Sequence, residues 1–252
     1  MQTIALYNLK GGVGKTTSAV NLAYLSAESK KNTVLWDWDP QAAASWYFHV
    51  EPGRQKAIRL LSKGQPIGSI EVNSPFPRLK VIPADLSLRK VDQELAELGS
   101  ARRLIRKMVA PLGEDTAYLI YDCPPTLSPA IEYLLNGVDL VLVPMIPSPL
   151  SIRAMEQVEA FFDNKKQAPK RIVGFFTQVD LRRKLHVETL KSVRKFPFPV
   201  LKTWIPIDSA AEQMGLKRAP LTSYARSGRA AEAYIKLWRE VNRVLKKPLD
   251  NA

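Results

Sequence analysis

Residues 8–17 read Asn-Leu-Lys-Gly-Gly-Val-Gly-Lys-Thr-Thr, a glycine-rich turn that ends in Gly14, Lys15 and Thr16 and holds a second lysine, Lys10, at its mouth. These residue types at this spacing suit the binding of phosphate. Gly11, Gly12 and Gly14 let the backbone, Val13 included, turn its N–H groups inward without Cβ clashes. Those donors, together with the start of the helix that comes next, make an anion site for the β- and γ-phosphates of a nucleotide. Lys15 adds a point charge over the same oxygens, and the Thr16 hydroxyl is a natural ligand for Mg²⁺. The alternative is a strand–helix turn that binds nothing; the complete motif in this context argues against it.

Two acidic segments could complete such a site. Val34-Leu35-Trp36-Asp37-Trp38-Asp39-Pro40-Gln41 places two aspartates just beyond an apolar run, and Leu119-Ile120-Tyr121-Asp122-Cys123-Pro124-Pro125 repeats the arrangement. Each run reads as a strand, and ligands of open α/β sheets sit at that end of the strands. A strand-end aspartate facing the phosphate loop would serve the magnesium shell. One such aspartate is commonly a turn residue; three at two strand ends beside this loop argue for a site.

The elements that must position these groups alternate along the chain. Residues 2–7, 33–36, 79–82, 117–121, 140–143 and 171–177 read as strands, with 200–204 weaker. Helical patterns cover the stretch from residue 15 onward and residues 55–62, 86–98, 101–109, 129–135, 152–163, 187–195, 209–216 and 229–244. This alternation predicts an α/β fold: three layers, a doubly wound and mostly parallel sheet with helices on both faces. We expect one domain over residues 1–246 and a frayed tail over 247–252. In the last helix Tyr234, Leu237, Trp238, Val241, Val244 and Leu245 recur at helical spacing, which favours a face packed on the sheet over one lying on a membrane.

Composition narrows the partners. The chain has 252 residues, 46% hydrophobic and 24% charged, enough for a large buried core. No run of about eighteen apolar residues suggests a membrane span, and no signal peptide is expected before the first strand. The single cysteine, Cys123, excludes a disulfide framework or a multi-cysteine metal cluster and suits a cytoplasmic setting. The net charge of +13 points to a polyanionic partner. It is concentrated: residues 182–229 carry eleven Lys/Arg against three Asp/Glu, a surplus of eight.

The motifs Lys10-Gly-Gly-Val-Gly-Lys15-Thr16-Thr17, Asp37-Trp-Asp39-Pro40-Gln41 and Asp122-Cys-Pro-Pro125 together resemble the ParA/Soj branch of the ParA/MinD superfamily of deviant Walker ATPases. Weaker similarity extends through Thr177-Gln-Val-Asp180 with Arg182, Ile205-Pro206, and the helix beginning at Arg229. The resemblance implies a slow, partner-stimulated ATPase using Mg²⁺, whose ATP-bound monomers pair with the nucleotides at their interface. It implies that Lys10 reaches the partner's phosphates, Lys15 serves its own, and Thr17 contacts the α-phosphate. Asp39 would orient the attacking water, Asp37 would support the site or the magnesium shell, and Asp122 would hold the metal through water. Pro206 and Asp208 stand where the family contacts the base, although the family's Pro-Arg-Asn is here Pro206-Ile207-Asp208. Ala42-Ala43 replace the family's Gly-Asn after the Pro-Gln pair, and Ser223 stands where the family often has arginine.

The family's dimers bind DNA without sequence preference. Arg182, Arg183, Lys184, Lys191, Arg194, Lys195, Lys202, Lys217, Arg218, Arg226 and Arg229 are the candidate contacts. The implied setting is nucleoid-associated, and the implied task is plasmid or chromosome segregation, or the positioning of a protein cargo. A ParB-like or other cargo-bound activator would release the dimer by stimulating hydrolysis. The competing readings are a MinD-like membrane-surface switch, which needs a lipid-binding tail, an iron-protein-type ATPase, which needs more cysteines, and a non-catalytic nucleic-acid-binding module, which has no use for Lys15 and Asp39.

Overall fold

The computed structural model describes residues 1–54, 57–63, 65–97, 101–163 and 169–248. The chain begins with β1 (Gln2–Leu6), the glycine-rich turn and α1 (Lys15–Glu28), then β2 (Thr33–Asp37) and the short α2 (Ala43–Tyr47). Next come α3 (Ala57–Lys63), β3 (Val72–Asn73), β4 (Leu79–Ile82), α4 (Val91–Glu97), α5 (Ala101–Val109) and β5 (Tyr118–Asp122). The second half adds α6 (Pro129–Leu135), β6 (Leu140–Met145), α7 (Pro149–Asp163), β7 (Ile172–Phe176) and α8 (Lys184–Lys191). It closes with α9 (Ser209–Glu212), α10 (Met214–Lys217), α11 (Leu221–Tyr224) and α12 (Arg229–Lys246).

The strands form a seven-stranded sheet in the order β3-β4-β2-β5-β1-β6-β7. Every neighbouring pair is parallel except the β3–β4 edge. Successive side chains of a strand point to opposite faces, and here both faces are apolar because helices cover both. Ile4, Leu6, Leu35, Ile120 and Leu142 pack with α1 and α12. Ala5, Tyr7, Trp36, Tyr121 and Val143 pack with α3 through α7. The expected three-layer α/β architecture is therefore observed, with β1 well inside the sheet.

Several element boundaries differ from expectation. Residues 200–204 do not form a strand: Leu201 N–H bonds Gly174 and Ile205 N–H bonds Phe176, each at 2.8 Å, but the backbone N–H groups of Lys202 and Thr203 donate to the Glu240 carboxylate of α12. With those donors diverted, only an isolated bridge at Val200 remains. The helix expected over 86–98 starts as a tighter 3₁₀ turn, Leu86–Lys90, capped by Asp85, and Leu98 lies outside the described residues. That over 209–216 breaks into α9 and α10, and α8 starts earlier than expected, at Lys184. Residues 55 and 56 and the tail from 249 to 252 also lie outside the described residues. The apolar stripe of α12 is buried, with Tyr234, Leu237, Trp238, Val241 and Leu245 packed into the core, so that face is not available to a membrane. Among the described residues no helix is long and apolar enough to cross a membrane.

Candidate functional site

β1 ends inside the sheet, and the chain turns through residues 8–14 into α1. Gly12 and Gly14 adopt left-handed backbone, φ +73° and +87°. A side chain at either position would be strained. Three side chains brace this turn. Asn8 Nδ2 donates to the Pro144 carbonyl (2.8 Å) while its Oδ1 accepts the Lys10 N–H (2.9 Å). The Thr177 hydroxyl donates to the Val13 carbonyl (2.8 Å), and Gln178 Nε2 donates to the Gly12 carbonyl (2.7 Å). Gln178 holds an uncommon left-handed conformation, φ 53°, to do so. These bonds engage the Gly12 and Val13 carbonyls with side chains, and the loop's N–H groups are the donors that an anion would meet.

Lys15, the first residue of α1, is buried, and its ammonium donates to the Lys10 carbonyl at 3.1 Å. Burial lowers its proton affinity, opposed by the negative field of Asp122, Cys123 and Asp39. Its bond to the Lys10 carbonyl places it inside the loop's own arch. Lys10 is half-buried at the mouth, and Thr16 and Thr17 lie half-buried in the first turn of the helix.

β2 and β5 are direct neighbours, and their register pairs Asp37 with Asp122. These two carboxylates are both fully buried, but their surroundings differ. Asp37 Oδ2 accepts the backbone N–H (2.9 Å) and hydroxyl (2.7 Å) of Ser45 in α2, and Oδ1 accepts the Asp39 N–H (3.1 Å). Ser45 Oγ in turn accepts the Ala84 N–H at 3.1 Å. Burial raises the Asp37 carboxyl to about 6; the Ser45 bonds hold it down, and Asp39 adds repulsion. Among the described residues, neither oxygen of Asp122 makes a hydrogen bond of normal geometry, although the Thr16 hydroxyl lies close by. Burial, then the nearby Asp37, pushes its carboxyl well above the ordinary range, with the Thr16 hydroxyl and the Lys15 ammonium as the groups that favour its charge.

A buried carboxylate without donors is costly unless a cation completes it. The residues present fit Mg²⁺: a hydroxyl at Thr16 and a carboxylate at Asp122, for an ion that takes its remaining ligands from phosphate and water rather than from an all-protein cage. No group of three or more His, Cys, Asp or Glu side chains among the described residues could hold a metal by itself, in keeping with that mode. Asp37, its oxygens engaged by Ser45 and the Asp39 N–H, orients the β2 end. Asp39 is half-buried; its Oδ1 accepts the Gln41 N–H (2.9 Å) and its backbone carbonyl accepts the Ala42 N–H (2.8 Å), so the residue caps a tight turn beside the loop.

The base-contact residues are placed differently from expectation. Asp208 Oδ1 accepts the Ala210 N–H (3.0 Å) and Oδ2 the Ala230 N–H (3.1 Å), capping α9 and tying it to α12. Its carboxylate is a structural staple, which leaves Pro206, half-buried and bridged to Val179, as the base-contact candidate on that loop.

Several of the basic candidates are engaged by other side chains. Arg182 is held bidentately by Asp180, both bonds 2.9 Å, and Lys184 lies 3.8 Å from Glu188. Arg226 bonds Glu28 at the far end of α1 from the phosphate loop. Arg218 stacks on Trp46. Arg183, Lys191 and Arg194 are exposed around α8, Lys217 is exposed on α10, and the Lys195 side chain lies outside the described residues. Lys202 and Arg229 share a cleft with Lys236 and Trp204. Lys236, Arg239, Arg243 and Lys246, outside the expected set, line clefts along α12. Ser45, which holds Asp37, is also outside the expected set, and no local motif marks it.

Comparisons with known proteins show the family and the fold. Residues 1–173 match a family model described as an AAA domain. The chain is 32% identical over 249 residues to the chromosome-partitioning ATPase Soj of Treponema pallidum, covering 95% of this chain and 96% of that protein. It is 29% identical over 248 residues to the sporulation initiation inhibitor protein Soj of Bacillus subtilis, covering 94% and 97%. Among solved structures, cobyrinic acid a,c-diamide synthase from Mycobacterium smegmatis with bound ADP and magnesium superposes with a TM-score of 0.82 at 21% identity, covering 98% and 96%. The ATP complex of a single-residue variant of McdA from Cyanothece superposes with a TM-score of 0.80 at 18% identity, covering 96% of each chain.

Proposed function

Because the chain belongs to the ParA/MinD superfamily of deviant Walker ATPases, we propose that it is an ATP hydrolase that pairs around ATP, binds DNA non-specifically in that state, and lets go on hydrolysis. The observation that carries the proposal is Asp122, a fully buried carboxylate whose oxygens make no hydrogen bond of normal geometry among the described residues, set beside Lys15 and Thr16 at the phosphate loop. Thr16 and Asp122 would hold Mg²⁺. When bound, that ion neutralises charge on the phosphoryl oxygens.

The chain's own residues do the rest. The loop N–H groups and Lys15 bind the β- and γ-phosphates, with Thr17 toward the α-phosphate. Asp39 orients the attacking water. Lys10, at the mouth, reaches a partner's phosphates, where a fixed cation in a closed interface stabilises developing charge strongly. Pairing is supported by a rim of exposed apolar side chains in the segments that follow β5, β6 and β7 and in the Ile207 loop: Leu127, Leu150 in the first turn of α7, Leu181, Leu185 in the first turn of α8, and Ile207, between 42% and 63% exposed. An apolar rim of this kind around a polar mouth fits an interface.

DNA contact would use cations around α8 and along α12, notably Arg183, Arg194, Lys202, Arg229 and Lys236. Phosphate contacts carry no sequence information, and pairing doubles their number. The task would be segregation of plasmid or chromosome DNA, or positioning of a protein cargo, with a ParB-like or other cargo-bound partner stimulating hydrolysis. The test is phosphate release from ATP with and without Mg²⁺, with DNA retention measured in parallel. Metal-dependent release that Asp122→Ala abolishes, with DNA retained only in the presence of ATP, is expected; release indifferent to Asp122→Ala, or equal retention with no nucleotide, would overturn the proposal.

A further inference from the structure

Among the basic residues expected at DNA, Arg218 is tied to the catalytic corner. Its Nε and Nη2 both donate to the Trp46 carbonyl, at 3.0 and 2.9 Å, and its guanidinium carbon lies 4.8 Å from the centre of the Trp46 ring. Arg218 takes a left-handed conformation, φ 46°, where α10 ends. Trp46 belongs to α2, the first helix after Asp39. We propose that Arg218 is a positioning residue for ATP hydrolysis, clamping α2 and through it the Asp37–Asp39 turn; this rests on the ATPase assignment above.

The physical case starts from the size of α2. Five residues cannot sustain a helix on their own, and α2 begins at Ala42 (φ 53°) with no side-chain cap. Tertiary tethers must therefore hold it. The inner tether is Ser45, bonded to Asp37 on one side and to the Ala84 N–H on the other. The outer tether is Arg218, whose two bonds add to that of the His49 N–H (3.1 Å) on the Trp46 carbonyl at the helix C-terminus, where a cation is also favoured. Between them the backbone runs continuously: Ala42 N–H to the Asp39 carbonyl (2.8 Å), then Trp46 N–H to the Ala42 carbonyl (2.9 Å). Release of the outer tether frees the C-terminal end of α2 and so loosens Ser45 against Asp37 and the turn that aims Asp39. ATP binding is untouched, since the loop and Lys15 are braced by Asn8, Thr177 and Gln178 instead. The clamp therefore affects turnover and not affinity.

The experiment compares wild type, Arg218→Ala, Arg218→Lys and Trp46→Leu by ATP turnover, ATP affinity, DNA retention and amide hydrogen exchange. Arg218→Ala is expected to lower kcat about five- to twentyfold, the scale of a modest misplacement of a reacting group, with ATP affinity within about twofold and DNA retention unchanged. Arg218→Lys recovers part of the loss, because an ammonium still reaches the carbonyl, and Trp46→Leu is milder because it removes the ring and leaves the carbonyl. Exchange at residues 42–47 speeds up in Arg218→Ala while that of residues 8–17 does not. Unchanged kcat, an equal loss of kcat and ATP affinity, or lost DNA retention with intact turnover would overturn the clamp. If wild type hydrolyses no ATP, the ATPase assignment fails by itself, and unaltered exchange at residues 42–47 in Arg218→Ala still sinks the clamp.

Discussion

Two corners of the sheet look alike in sequence and behave differently in space. At the β2 end and at the β5 end an apolar strand finishes in an aspartate, and the two aspartates share one register. Asp37 is met by Ser45 from a helix eight residues further along the chain; Asp122 is succeeded by Cys123, Pro124 and Pro125, which bring it no donor. One carboxylate is engaged by the scaffold; the other is the one that, in the proposed function, takes a cation. The segment after a strand can therefore decide the chemistry of the strand's last residue.

Mutations should separate the corners. The largest effect belongs to the free carboxylate and its neighbours: Asp122→Ala, Lys15→Ala and Lys10→Ala should each lower Mg²⁺-dependent ATP turnover by about 10²-fold or more, read as phosphate release. Asp39→Ala should also abolish turnover but trap the ATP-bound pair, seen as a larger species by sizing chromatography. Next comes stability without nucleotide. Asp37→Ala strands the Ser45 donors and should cost about 2–4 kcal/mol in urea unfolding, whereas Asp122→Asn should leave the protein as stable or more so, since a carboxyl whose charged form burial disfavours is replaced by a neutral amide. Equal destabilisation by the two would erase the contrast.

Ser45→Ala is a smaller probe of the same corner, expected to cost about 1–2 kcal/mol. The smallest effect calibrates the sign of the pH dependence. Asp139, beside the start of β1, is partly buried, which works against its charge, but Lys170 and Thr3 outweigh this and hold its carboxyl below the ordinary range. Its favourable contribution is complete above the unfolded carboxylate value and is lost as pH falls through the lowered one, below about 4. Asp122 has the opposite sign: its raised carboxyl costs stability as pH rises above about 4. Unfolding measured from pH 3 to 7 should show Asp139→Asn losing up to about 1 kcal/mol only above pH 4, and Asp122→Asn gaining relative to wild type over the range where the wild type declines.

The phosphate loop, the three strand-end aspartates and the alternating architecture could all be read from residue order, because each depends on neighbours within a few positions: glycines that permit positive φ, a lysine one step into a helix, apolar runs closed by an acid. The same holds for the Asp180–Arg182 pair, two residues apart. Other features depend on residues far apart in the chain. Glu240 removes the donors that 200–204 needed to form a strand, and Glu28 holds Arg226 across most of the sequence. Trp46 draws Arg218 from the expected DNA set into the hydrolytic corner, and Asp208 is spent on capping. Residue types and spacing thus determined which chemistry is present. Tertiary contact decided which charged groups are free to perform it, because a hydrogen bond that satisfies one group withdraws it from any other partner.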